Sequence, residues 1–268
     1  MRRSRSDGYY LKLWDTTEVL RDVRSLSNRI IKENQPYLHV EGVTGVPWYF
    51  IGVIHMMEAS GNQRKQILNG QLWNEKTTIV PKGRGPWPTW EASAIEGIED
   101  YRGKADWSIP SILRRLEGYN GWGYAGGPAK RDSRNKVIKE DGFTLRWPAV
   151  NSPYLWSCTN HGKGVGKYVS DGRYKPDFVS KQVGAVCILK ALESQGVSMS
   201  GTVRPVVSYG SKSLTNAIRV QQLLNSINNS LPSKLFERLA ADGKPGRKTS
   251  DAFKVVFGNY LKGDPRCG

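Results

Sequence analysis

Apolar residues recur at Leu13, Val19, Leu20, Val23, Leu26 and Ile30, close to the spacing of one helical face, and predict a helix within residues 11–32. Thr16 or Thr17, followed by Glu18, supplies a start signal. A loop is expected through Asn34, Pro36, Gly42 and Gly45. Pro47 then opens the most apolar stretch of the chain, which runs to Ser60, as proline can at the first position of a helix. Gly61-Asn62 is its stop signal. Residues 62–89 are polar and rich in Gly and Pro, with one short strand-like run at Thr77–Val80.

Helices are expected over Trp90–Asp100, started by Thr89, and over Ile109–Glu117, started by Ser108 and Pro110. Residues 118–151 read as glycine-rich and irregular. Residues 177–194 have the spacing of an amphipathic helix. The proline-bounded, small-residue segment 196–208 reads as a linker, and two further helices are expected at Ser213–Asn225 and Lys248–Tyr260. The fold expected is therefore mainly α, with residues 1–195 as a large domain, 196–208 as the linker and 209–268 as a small helical domain.

Composition narrows the classes. The 268 residues are 38% hydrophobic and 10% aromatic, which is enough for a core. No apolar run approaches the ~18 residues of a membrane span. Met1-Arg-Arg-Ser-Arg-Ser has no apolar segment behind it, so a Sec-type signal peptide is not expected. Synthesis in the cytoplasm is the expectation. Three widely spaced cysteines without a CxxC speak against a disulfide framework or structural zinc. A net charge of +16 favours polyanionic partners: nucleic acid, anionic lipid or the polymers of a cell wall.

Within the apolar stretch, Ile51, Ile54, His55 and Glu58 fall at i, i+3, i+4 and i+7, so the carboxylate shares a stripe with two isoleucines. Desolvation favours the protonated form of a carboxyl group, which is what a general acid needs near neutral pH. Helix geometry alone favours the plainer reading of a solvated Glu at the tip of a core helix, bonded to Ser60 or to loop amides. HExxH is absent and His39 and His161 have no helix-spaced partner, so no metal is expected and His55 reads as a satisfied core histidine.

Gly52-Val-Ile-His-Met-Met-Glu58-Ala-Ser60-Gly resembles the catalytic helix of lysozyme-like muramidases and lytic transglycosylases. Leu116-Glu117-Gly-Tyr119-Asn120-Gly-Trp-Gly-Tyr124 resembles the Tyr-Asn-Gly loop that lines the sugar cleft in goose-type and transglycosylase-type relatives. The elements Ser152–Ser157 (Ser-Pro-Tyr-Leu-Trp-Ser) and Lys167–Gly172 (Lys-Tyr-Val-Ser-Asp-Gly) extend the likeness, to phage and bacterial lysozyme-family proteins, over roughly residues 46–192. The resemblance implies a lysozyme-like catalytic domain with Glu58 as the general acid and no cofactor.

Sugar rings need flat aromatic faces and planar polar groups. Ser60, Trp90, Tyr119, Asn120, Tyr124, Tyr154, Trp156 and Asn160 are the candidates for substrate binding, although Trp48, Trp90 and Trp147 equally suit a core. A second carboxylate, close to the acid in retaining enzymes and farther away in inverting ones, has four candidates: Glu75, Glu91, Glu117 and Asp171. Glu91 also suits the N-terminus of a helix, and Glu117 could instead orient the Tyr-Asn loop. Lytic transglycosylases need no second carboxylate.

The C-terminal segment has a likeness of its own. Val220-Gln-Gln-Leu-Leu-Asn225 followed by Asp242-Gly243-Lys-Pro-Gly246-Arg-Lys-Thr249 and Ala252-Phe253 resembles a small helical peptidoglycan-binding domain, with Gly243 and Gly246 giving permissive backbone and Thr249 a cap. Its lead-in, Tyr209-Gly-Ser-Lys-Ser-Leu-Thr, departs from that family's pattern. Residues 210–268 carry ten Lys and Arg against four acidic residues, which suits an anionic wall.

Together the resemblances imply a glycosidase of bacterial peptidoglycan: a phage endolysin released through a holin, or a wall-degrading part of a virion or contractile injection tail. The alternative is a non-catalytic wall-binding component with a lysozyme-like body. Nucleic-acid binding, which net charge and aromatic content allow, lacks a recognisable module.

Overall fold

The structure, a computed structural model, describes residues 5–140, 143–170, 173–199, 207–211 and 214–267, with the side chains of Leu214 and Thr215 left aside. It is mainly helical. In chain order the helices are α1 (Asp7–Asp15), α2 (Arg24–Lys32), α3 (Gln35–Thr44), α4 (Trp48–Ala59), α5 (Trp90–Gly97), α6 (Ile109–Asn120), α7 (Pro153–Trp156), α8 (Ala185–Ser194), α9 (Leu214–Ser230) and α10 (Arg247–Phe257). Four short strands form two antiparallel hairpins, β1 (Lys139–Glu140) with β2 (Phe143–Thr144), and β3 (Lys167–Ser170) with β4 (Arg173–Lys175). Among the described residues no helix is long and apolar enough to cross a membrane.

The chain forms two compact units, residues 1–29 with 106–201, and residues 30–105 with 202–268. This division follows a different line from the linker expected at 196–208, of which residues 200–206 lie outside the described residues.

In the first unit α1 packs on α6, and α7 packs on both α6 and α8. Ile112, Leu113 and Leu116 of α6, Leu155 and Trp156 of α7, and Leu189 of α8 are fully buried. Each such aliphatic side chain contributes about 1.5–3 kcal/mol relative to exposure. Ser6 caps α1 by accepting from the Tyr9 amide at 3.2 Å.

The single helix expected over 11–32 is interrupted. The hydroxyls of Thr16 and Thr17 donate back to the Lys12 and Leu13 carbonyls and close α1. Residues 18–20 then run extended beside 158–160: Val19 bridges Thr159, and the Leu20 amide donates to the Cys158 carbonyl. Asp22 accepts from the Arg24 amide at 2.9 Å and starts α2. At the other end of the unit, the helix expected over 177–194 begins only at Ala185. A Cβ at Gly184 would stand 2.4 Å from the Leu155 carbonyl oxygen, so the chain enters α8 through a glycine pressed against other backbone.

The second unit is built on α3, which packs against α4, α5 and α9. The sequence pattern suggested a loop here, yet nearly every residue of α3 from Tyr37 to Thr44 is buried. Pro36 lies in its first turn and Gly45 closes it with φ 74°, so the two residues read as loop formers are helix start and stop. Gly42 lets α9 approach: a Cβ there would lie 3.4 Å from a methyl group of Val220. The C-terminal segment is thus packed onto residues 35–44. Thr77–Val80, expected as strand-like, is irregular, with bends at 78–80.

Candidate functional site

Helix α4 is apolar all round. Tyr49 to Met57 and Ala59 are buried, and only its two ends, Trp48 and Glu58, are partly exposed. A helix of this kind is a core element, so a half-buried carboxylate in its last turn stands out. At its start, the Trp48 amide donates to Oε1 of Glu41 at 3.3 Å, a buried acid set where the helix dipole favours negative charge. At its end the chain turns through two left-handed residues, Ser60 (φ 52°) and Gly61 (φ 68°). Their amides close the helix onto Met56 and His55 at 3.1 and 3.2 Å. Ser60 is exposed at this turn.

His55, one turn before Glu58, is fully buried. Its Nδ1 lies 2.9 Å from the Tyr37 hydroxyl and its Nε2 3.0 Å from the Asn62 carbonyl. A carbonyl can only accept, so Nε2 carries the proton, and in the neutral ring Nδ1 accepts from Tyr37. Trp90 packs on the imidazole at 4.7 Å and donates from its indole to the Lys65 carbonyl at 2.9 Å. Trp90 is only 4% exposed, so it serves the core behind α4. Glu91 follows it in the first turn of α5 and lies 3.4 Å from Nδ1 of His39. Among the described residues, no three His, Cys, Asp or Glu side chains group as a metal site.

A feature that the sequence reading missed sits against Glu58. Residues 66–71 form a tight turn in which Oε1 of the buried Gln66 accepts from the amides of Leu68 and Asn69 at 2.6 and 3.1 Å. Asn69 reaches across to the carbonyls of Ile79 and Val80. At its tip Gly70 has φ 73°, and a Cβ there would stand 2.5 Å from the Glu58 carbonyl oxygen. The turn is laid directly on the main chain that carries the acid. The dipeptide Asn69-Gly70, a strong turn signal, could have found it.

The remaining candidates, Glu75 apart, belong to the first unit. Glu117, fully buried in α6, has both oxygens engaged: Oε1 accepts from Nε of Arg5 at 3.1 Å and Oε2 from the Tyr10 hydroxyl at 2.6 Å. Arg5 also donates to the Val150 carbonyl, and the Tyr9 hydroxyl donates to Asn151 at 2.5 Å. Burial, then the Glu117 charge, pushes the Tyr10 phenol well above its usual range, and burial lifts Tyr9 to about 12 against the lowering by Arg5. This carboxylate anchors α1.

Asn160 is likewise committed. Its side chain accepts from the Glu18 amide at 3.0 Å and donates to the Thr16 carbonyl at 2.9 Å, holding the segment after α1. Trp156, Tyr124 and Tyr154 are 0%, 5% and 7% exposed. Tyr124 accepts from the Tyr168 amide at 3.1 Å and packs on Tyr168 and Tyr174, which fixes the β3–β4 hairpin. Tyr119 is half-buried and Asn120 exposed at the end of α6. Glu75 is exposed, and Asp171 lies outside the described residues.

No profile of a known protein family matches the chain, and comparison with curated proteins and with solved structures gave no match.

Proposed function

We propose that the protein is a peptidoglycan-cleaving glycosidase in which Glu58 is the general acid. The observation that carries this reading is the place of Glu58: a half-buried carboxylate on the last turn of a helix whose preceding nine residues are all buried. Such a group is partly stripped of water yet keeps access to a ligand. It can deliver a proton to the glycosidic oxygen between N-acetylmuramic acid and N-acetylglucosamine as the bond to the anomeric carbon breaks.

The resemblance of residues 52–61 and 116–124 to the lysozyme-like superfamily supports the same reading. So does the net charge of +16, which concentrates the protein on an anionic wall. The turn at Gln66–Gln71 supports the helix end from one side, so that the acid is held on two packed segments. With Glu117 spent on Arg5 and Tyr10, the second step falls either to water activated by another carboxylate or to the sugar's own hydroxyl, which closes an anhydro ring. The setting we infer is a lysin freed through a holin, or a wall-opening part of a phage or injection particle.

The test is clearance of a peptidoglycan suspension by the parent protein and by Glu58→Gln, which keeps the shape and removes the proton. The reading expects clearance by the parent and at least a 100-fold loss in the variant, in line with the 10²–10⁴-fold worth of general acid catalysis. Binding to the wall with no clearance by the parent would instead support a non-catalytic wall-binding protein.

A further inference from the structure

The first unit contains a recess that plays no part in the reading above. It has a volume of about 320 Å³ and is walled by the loop after Gly127, by Trp147 and by the start of β4. Three cations line it, Lys130, Arg131 and Arg173, and none of them pairs with a carboxylate among the described residues. The one acid in the wall, Asp132, spends Oδ1 on the amides of Arg134 and Lys136 at 2.9 and 2.8 Å, so it shapes the turn. Arg131 is held by a hydrogen bond from Nη1 to the Asn135 carbonyl at 2.8 Å. Its Nε–H is shielded from water and has no partner among the described residues. A shielded donor without a partner is costly.

The recess also has an aromatic wall. Trp147 and Tyr174 stand 6.3 Å apart at 52°, and the Lys130 ammonium lies 4.9 Å from the indole centroid. Trp147 is half-buried, unlike the fully buried Trp107 and Trp156. The wall is rigid. Tyr174 accepts from the Gly166 amide at 3.1 Å and packs on Tyr124 and Tyr168. A Cβ at Gly166 would stand 2.7 Å from its ring.

We propose that this recess binds an anionic sugar, with the ring on Trp147 and Tyr174 and a carboxylate or phosphate on Arg131 and Arg173. Two features favour a sugar over a nucleic-acid strand. The volume, near the lower limit of small-molecule sites, suits one or two rings, and the recess offers a single pair of aromatic rings, Trp147 and Tyr174, whereas strand binding uses a groove along which several bases stack on successive aromatic side chains. The proposal does not rest on Glu58 or on the glycosidase reading.

The test is titration of the full-length protein with glucuronate, glucose 6-phosphate, glucose, inorganic phosphate and an eight-residue oligothymidylate, followed by calorimetry and by the Trp147 indole N–H resonance, assigned with Trp147→Phe. The proposal expects glucuronate, glucose 6-phosphate or both to bind at least tenfold more tightly than glucose and than phosphate alone, and to shift that resonance. The two sugars separate a carboxylate site from a phosphate site. Arg131→Gln and Arg173→Gln, each checked for an unchanged melting temperature, should weaken binding at least fivefold, while Glu58→Gln should bind as the parent does. Equal binding of glucose and its acids, indifference to both arginine variants, or tighter binding of the oligothymidylate through the same residues would overturn it.

Discussion

The buried carboxylate in α6 offers a sharp division between chemistry and architecture. Glu117 is joined to Arg5 at 3.1 Å with side-chain exposures of 1% and 12%, and to Tyr10 at 2.6 Å. Arg5→Ala leaves the acid buried with a single partner, and Glu117→Gln leaves the guanidinium without its counter-charge. Removing one member of a buried pair costs about 3–5 kcal/mol. Because Arg5 lies on the segment that leads into α1, the protein can lower this by lifting that segment and admitting water, and about 3 kcal/mol is the figure expected for either variant. For a cooperative unit of this size, with roughly 4 °C for each kcal/mol, the melting temperature of the first unit should fall by about 12 °C. The double variant should lose at least 1–2 kcal/mol less than the sum of the singles, because both singles break the same contact. Differential scanning calorimetry measures all three. Clearance of peptidoglycan at 20 °C, below the transitions, should stay within a fewfold of the parent. A melting temperature within about 1 °C of the parent for Arg5→Ala would refute the anchoring role. A 100-fold loss of clearance in Glu117→Gln with its stability intact would make Glu117 a catalytic residue.

Other expectations follow from single contacts. Gly70→Ala sets a methyl group 2.5 Å from the Glu58 carbonyl at φ 73°, and should lower both stability, by about 1–3 kcal/mol, and clearance, by tenfold or more. Gly83→Ala, at φ 76° with open space around it, is the control; equal clearance by the two variants would contradict the link between the turn and the acid. Burial, and secondarily the neighbouring Cys158, raises the Cys187 thiol to about 12 from an ordinary 9.0. The unfolded chain therefore releases that proton first, and stability should fall as pH rises from 9 toward 12. Urea midpoints at pH 8.5 and 10 should show the fall in the parent and a flatter line in Cys187→Ala; parallel lines would contradict it. Gln221, 2% exposed, donates to Asp242, Lys244 and Thr249 and accepts from the Gly243 amide at 2.8 Å. Gln221→Ala should cost about 2 kcal/mol and speed hydrogen exchange at the Gly243 amide, and unchanged protection there would count against its role as the hub of that loop.

Much of the helical content was legible in the pattern of apolar residues, and so was the single carboxylate at the edge of α4. Local signals failed where a distant partner decides the outcome. The spacing from Leu13 to Ile30 is helical, but residues 18–20 are taken up by pairing with 158–160, which no local window contains. Pro36 and Gly45 are loop formers by composition and helix ends by position, and α3 is helical because α4, α5 and α9 cover it. For the site, residue type put Glu117, Trp90, Trp156 and Asn160 among the candidates beside Glu58. Burial and hydrogen bonding separate them from Glu58: Trp90 and Trp156 are core, and Glu117 and Asn160 hold the N-terminal segment. The Arg131 recess left almost no trace in the sequence, because its residues come from three separate stretches, two within the irregular 118–151 region and one at 173–174.

The most direct measurement is mass spectrometry of the soluble fragments released from purified peptidoglycan by the parent protein and by Glu58→Gln. The account predicts muropeptides severed at the sugar–sugar bond by the parent, ending in reducing or anhydro-muramic residues, and none from the variant. Intact glycan strands with cut peptides, or the same fragments from both proteins, would contradict it.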